Sequence, residues 1–232
     1  MRELKREGTH WQRARRPDQV KERRDSILSA TSRLIERGGV PAVGLTAIAR
    51  EAGLSKANLY RYFESREAIL LELFESEIAA WSNHFAELLG SLARPTDIAA
   101  VAQATADSLQ GREIYCSLFS ALAPDLESRL TEPFLIRSRR SLREAFVGLI
   151  GPLRGALPHL SKSQVNEFLI MHAMFIAGIW SHATPGKALA EVMGREEFVG
   201  MRMNFLERVR WHALILLMGL ESISQPRVKP AE

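Results

Sequence analysis

The 232-residue chain has one cysteine, three tyrosines and no apolar run long enough to cross a bilayer. A lone thiol, Cys116, cannot close an intrachain disulfide and leaves no second thiolate for a metal, so a reducing, cytoplasmic compartment is expected. The most apolar runs, Phe168 to Trp180 and His212 to Leu220, fall short of the roughly 20 residues a spanning helix needs, and no membrane partner is expected. The opening MRELKREGTHWQRARRPD is polar and basic without an apolar segment, unlike a secretory signal. Catalytic patterns are missing too. There is no P-loop, no Gly-rich dinucleotide fingerprint and no Ser-His-Asp arrangement, so neither an enzyme nor a cofactor is expected. His172, His182 and His212 lack a second His or a carboxylate four residues on, and no metal site is expected.

Strand-like alternation is almost absent, while apolar positions return every three or four residues in an Ala-, Leu-, Glu- and Arg-rich chain; an all-α protein follows. The net charge of +4 hides an asymmetry: residues 1–66 carry 15 Lys and Arg against 8 Asp and Glu, and the rest carries 16 against 19. A basic N-terminal third on a slightly acidic body points that third at a polyanion, either nucleic acid or an anionic surface.

Turn and cap signals divide the chain. Residues 1–17 read as a basic flexible arm, 18–74 as a small helical domain, 75–222 as a helical body and 223–232 as a polar tail, with the boundary near Phe74 inside a long helix that opens at Ser65. Asp18 is expected to cap a first helix that ends at Gly38-Gly39. Thr46 is expected to cap AIAREA, Gly53 to end it, and Ser55 to cap KANLYRYF. Two short helices with a three-to-four-residue turn match the helix-turn-helix plan, in which the second helix enters the major groove. Further on, Pro133 is expected to kink a helix from about Asp125 to Leu149, GPLRGALPHLSKS and TPGKALAEVMGREE are expected as loops, and a last helix is expected from about Phe198.

Over residues 24–74 the stretches RRDSILSATSRLIERGG and LTAIAREAGLSKANLYRYFESREAILLELF closely resemble the TetR family of transcriptional regulators. The resemblance implies a homodimer whose paired N-terminal domains bind a two-fold related double-stranded DNA operator, and whose C-terminal domains dimerise and bind a small effector that releases DNA. It implies DNA contacts by Thr46, Ser55, Lys56, Ala57, Asn58, Tyr60, Arg61, Tyr62 and Arg66. Ala57 stands where the family commonly has glycine, and Arg66 where it usually has a phosphate-binding lysine. Tyr62 is equally readable as core, Phe63 reads as core, and Arg13, Arg15 and Arg16 of the arm could follow the minor groove.

In the body, Trp81, Phe85, Tyr115, Phe119, Phe134, Phe168, Met171, His172 and Phe175 are candidates to line a pocket for an apolar or aromatic effector, beside the plainer reading that most of them are core. The segments VNEFLIMHAMFIAGIW and MNFLERVRWHALILLMGL are apolar on more than one face, as helices buried both inward and against a partner must be. A different class of function remains open: a helical ligand-binding protein or enzyme whose basic N-terminus only docks on anionic partners.

Overall fold

A computed structural model describes residues 17–122, 126 and 129–223. Among the described residues the chain is all-helical, with ten α-helices: α1 (Pro17–Gly38), α2 (Leu45–Glu51), α3 (Lys56–Leu59), α4 (Arg66–Ser91), α5 (Ile98–Asp107), α6 (Glu113–Ala121), α7 (Glu132–Ala156), α8 (Lys162–Ala183), α9 (Lys187–Met193) and α10 (Phe205–Ser222). The arm with Arg13, Arg15 and Arg16, and most of the polar tail, lie outside the described residues.

Local chemistry sets several boundaries. α1 ends where Gly39 takes φ +69°, a left-handed backbone that costs glycine little, and Val40–Ala42 makes a 3₁₀ turn. Ser65 caps α4 by accepting from the amide of Ala68, and Asp97 does the same for α5 from Ala100. Ser161 and Gln164 form a reciprocal capping box at the start of α8.

Several expectations need correction. Asp18 lies inside the first turn of α1, which begins at Pro17, and so does not cap it. Thr46 is the second residue of α2, and Gly44, without a side-chain cap, precedes the helix. Helix α3 is four residues long and passes into a turn before Phe63, where a longer KANLYRYF helix was expected. Pro133 lies in the first turn of α7, where its missing N–H would have no helical partner anyway, so it starts the helix and does not kink it. α7 also continues through Pro152 to Ala156. The bond Pro152 cannot make is the one to Gly148, the neighbouring Gly148 and Gly151 have open space around them, and buried Leu149, Leu153 and Ala156 hold the turn from the other side. The segment expected as a loop after Ala183 contains α9 and a 3₁₀ turn at Glu196–Met201, and α10 begins only after the Asn204 cap.

One hydrophobic core runs from Ile27 of α1 to Leu220 of α10. Helix α4 is its spine. Ile69, Leu70, Leu71 and Leu73 are buried along its first turns, Phe74 stacks on Tyr115 and Phe119 of α6, and Ile78, Trp81, Phe85 and Leu89 continue into the body, where α4 lies along α7 and also touches α5 and α6. Helix α10 packs on α5 and α8, and α6 packs on α8. A displacement in the body can therefore reach the small N-terminal unit through a single continuous helix.

Candidate nucleic-acid interface

The corner between α2 and α3 is built by three small devices. Gly53, at φ +65°, reverses the chain, and the amides of Gly53 and Leu54 return to Arg50 O (3.2 Å) and Ala49 O (2.8 Å). Ser55 Oγ accepts from Asn58 N at 3.1 Å. Ile48, Ala49, Leu59 and Phe63 are buried beneath the corner, where α2 packs on both α1 and α3. Arg33 and Arg37 of α1 both donate to Glu51, and these bonds hold its carboxyl below the usual carboxylate range.

What remains outside is basic and phenolic. Thr46, Ser55, Lys56, Ala57, Tyr60 and Arg61 are exposed, with Tyr60 at 49%. Among the described residues, Lys56 and Arg61 make no ion pair, so both charges face solvent. Ala57 presents a methyl on this face, where a glycine would let the backbone come closer to a partner.

Three of the expected contact residues are placed differently. Asn58 is only partly exposed, its Oδ1 is buried without a hydrogen-bond partner among the described residues, and its backbone amide donates to Ser55 Oγ. Tyr62 is half-buried and packs against the core, while its carbonyl accepts from Arg24. Arg66 turns inward. Its guanidinium donates to Val43 O at 2.5 Å and to Val40 O at 2.9 Å and pairs with Glu67, so it fastens the 3₁₀ turn to the start of α4. A bidentate fork suits two carbonyls in a way a single ammonium does not.

Arg24, on α1, carried no signal in the sequence. It donates to the Tyr62 carbonyl, pairs with Glu72 of α4, and stacks its guanidinium 4.0 Å from the Phe63 ring centroid. Arg137 of α7 then pairs with Glu75 and lies 3.9 Å from Glu72. This chain of charges ties the end of the recognition corner, through α4, to α7. Its members are 38, 48 and 62 residues apart in sequence, beyond the reach of any local pattern.

The expected effector residues do not line one cavity. Trp81, Phe85, Tyr115 and Phe119 are buried and fill one another's space, with Trp81 and Tyr115 centroids 5.2 Å apart and Tyr115 and Phe119 centroids 5.6 Å apart. Trp81 Nε1 is satisfied by Ser108 Oγ at 3.1 Å. Phe168 stacks on His172, and Phe175 on His212 at 3.9 Å. Met171 is 42% exposed on the outer face of α8, and Phe134 borders a surface cleft with Tyr60 and Arg137. His172 and His212, 40 residues apart, meet with their Nδ1 atoms 3.4 Å from each other. No group of three or more His, Cys, Asp or Glu able to hold a metal occurs among the described residues. Cys116 is buried, and burial pushes its thiol up to about 12, so it is inert as a nucleophile. No helix among the described residues is long and apolar enough to cross a membrane.

A short helix on a glycine turn, carrying unpaired cations above an all-helical body, is the architecture of a helix-turn-helix regulator. Comparison with known proteins agrees. Residues 27–73 match the model for bacterial regulatory proteins of the tetR family, and residues 75–223 match the tetracyclin repressor-like C-terminal domain. The chain belongs to the TetR family of transcriptional regulators. It is 45% identical over 62 residues to an uncharacterised helix-turn-helix regulator of Mycobacterium tuberculosis, covering 27% of this chain and 29% of that one. It is 42% identical over 57 residues to the transcriptional repressor KstR of Rhodococcus jostii, covering 25% and 27%. These matches span under a third of either relative's length. Among solved structures, the multidrug binding protein EbrR complexed with imidazole superposes with a TM-score of 0.57 at 15% identity, covering 89% of this chain and 97% of that one, a likeness of fold.

Proposed function

We propose that this chain is a ligand-responsive repressor that binds a two-fold related DNA operator as a homodimer and leaves it when a small apolar effector binds. The carrying observation is the exposed set Lys56, Tyr60 and Arg61 on α3 and the turn that follows it, with no ion pair to Lys56 or Arg61 among the described residues and with Leu59 and Phe63 buried beneath. Lys56 and Arg61 serve phosphates, Tyr60 serves the backbone or a thymine methyl, Ala57 lies against the groove, and the hydroxyls of Thr46 and Ser55 flank the contact. Arg66 and Arg24 position this face and do not touch DNA. The two recognition helices of a dimer must meet successive major grooves about 34 Å apart, so a small pivot of α4 is enough to lose register. The effector acts by linkage: it lowers DNA affinity by the difference in its own affinity for the two arrangements.

Dimerisation rests on α8 and α10. Each buries one face, Val165, Phe168, Leu169 and Ile176 on α8 and Val209, Ala213 and Leu217 on α10, and each leaves a second apolar face open. Met174 is 70% and Ile215 66% exposed, with Met171, Trp211 and Met218 beside them at helical spacing. Exposed apolar faces of this kind mark protein contact sites.

The reading is tested by selecting bound fragments from the source genome and measuring their affinity against salt. Lys56→Ala should lower the slope of log affinity against log salt by about one unit; an unchanged slope removes this lysine from the phosphate contacts. Ile215→Glu should convert a sedimenting dimer to monomer without loss of helix. A monomeric parent protein overturns the interface.

A further inference from the structure

The aromatic residues of the body fill their own space, which leaves the effector without the pocket expected for it. A different cavity has room. A groove of about 860 Å³ lies where the end of α1 and its 3₁₀ turn face α6 and the C-terminal end of α8. Ile35, Val40 and Pro41 form one wall, and Ile114, Ala121 and Trp180 the other. The size is within the range of small-molecule sites, which are mainly apolar with a few placed polar groups.

The polar groups of the groove select the occupant. Ser120 donates to Ala177 O (2.9 Å), Thr184 to Trp180 O (2.7 Å) and Ser181 to Gly178 O (3.3 Å), so three of its four hydroxyl hydrogens are engaged by helix carbonyls. Ser117 differs. Its Oγ accepts from Trp180 Nε1 at 3.0 Å, and its own hydrogen has no acceptor among the described residues. The groove therefore offers one free O–H donor beside a half-buried indole. Its charged residues lie at the exposed rim and balance, Glu36 and Glu113 against Arg37 and Lys187. Such a rim gives no net attraction to an ion.

We propose that this groove is an effector site for an uncharged, mainly apolar molecule carrying an acceptor oxygen, to which the Ser117 hydroxyl donates. Its walls come from both matched stretches, Ile35 to Pro41 from residues 27–73 and Ile114 to Trp180 from residues 75–223. An occupant therefore favours one spacing of the DNA-binding unit against α6 and α8. That coupling rests on the repressor reading; the binding itself does not.

Nile red, an uncharged polycyclic dye with a carbonyl oxygen, is the probe, titrated into the full chain and followed by its fluorescence, with pyrene as an oxygen-free control. One saturable site per protomer is expected. Ser181→Phe, placed at an exposed residue of the groove, should weaken Nile red by at least about tenfold with an unchanged melting temperature. Ser117→Ala should weaken Nile red about fivefold and leave pyrene unchanged, because only the dye accepts a hydrogen bond. Val147→Ala, on the exposed face of α7, should change neither. Undiminished binding to Ser181→Phe, or loss of binding in Val147→Ala, overturns the site. Saturating dye should also shift affinity for a selected fragment at least about fivefold, within the usual range of allosteric coupling, and not in Ser181→Phe. Dye binding without that shift overturns the coupling. Failure of the dye-free protein to bind any fragment overturns the repressor reading, and the dye titrations then decide the site alone.

Discussion

Two tyrosines of this chain are put to opposite uses. Tyr60, in the recognition corner, is 49% exposed and has no ring contact among the described residues. Tyr115, in the body, is 1% exposed, stacked between Trp81 and Phe119, and its phenol is pushed well above its usual pKa by burial. The difference lies in what surrounds each ring. Four apolar contacts beneath the corner are supplied by Ile48, Ala49, Leu59 and Phe63, and that support frees Tyr60 to face outward. The body has no such division, and its large rings are its packing.

The sharpest way to break this comparison is to remove one ring of the stack. Phe85 is fully buried and tilts against Trp81 at 5.9 Å. Phe85→Ala should cost about 3–5 kcal/mol, since the cavity adds to the lost transfer energy. Equilibrium urea unfolding measures it. A loss below about 1 kcal/mol would mean that space around Trp81 and Tyr115 was already open, and the effector pocket expected from sequence would be reinstated.

Of the two readings the sequence leaves open for these aromatics, pocket lining and core, Trp81, Phe85, Tyr115 and Phe119 take the second, for a physical reason. The corner from Leu45 to Phe63 is readable because its determinants act over a few residues: a left-handed glycine at 53, a cap at Ser55, and apolar residues one turn apart. The boundary of each body helix was readable to the extent that a cap was local, as at Ser161. Pro152 misled because a proline reads as a stop, whereas tertiary burial of Leu149 and Leu153 overrides it. Which aromatics line space and which fill it depends on partners such as Ser108, 27 residues from Trp81, and Ser117, 63 residues from Trp180. No window of sequence holds both members. The same distance hid Arg24, and it hid the meeting of His172 with His212.

The histidine pair sharpens the comparison through pH. His172 is 2% exposed, its Nε2 has no partner among the described residues, and burial together with nearby His212 lowers its pKa to about 3; burial also lowers His212. In the neutral pair one Nδ1–H donates to the other Nδ1, a bond that two protonated rings cannot make. An unfolded histidine titrates near 6.5. The unfolded chain therefore binds more protons between about pH 6.5 and 3, so the contribution is complete above that window and is lost as pH falls through it. Between pH 7 and pH 5 His172 alone should cost about 2 kcal/mol of stability. Denaturant midpoints at pH 7, 6 and 5 measure the loss, and His172→Gln should remove this part of the pH dependence. The recognition corner from Leu45 to Phe63 holds no histidine, and its exposed cations are Arg50, Lys56 and Arg61. A wild-type midpoint that does not change with pH would show that His172 is not held neutral by its surroundings.

The smallest effect in stability is the most informative about function. Tyr60→Ala removes a ring that is 49% exposed and lies outside the buried core, so the unfolding free energy should stay within about 0.5 kcal/mol of the parent. Affinity for a selected DNA fragment should fall about fivefold, the value of one hydrogen bond or one ring contact. Tyr60→Phe separates the two. If the phenol donates to a phosphate, Phe behaves as Ala and the deficit is the same on every sequence, because phosphate contacts carry no base information. If the ring lies on a thymine methyl, Phe restores affinity and only fragments with that base pair respond to Ala. A large loss of stability in either variant would place Tyr60 with Tyr115 as packing, and the distinction between a supported, outward-facing corner and a self-filled body would no longer hold.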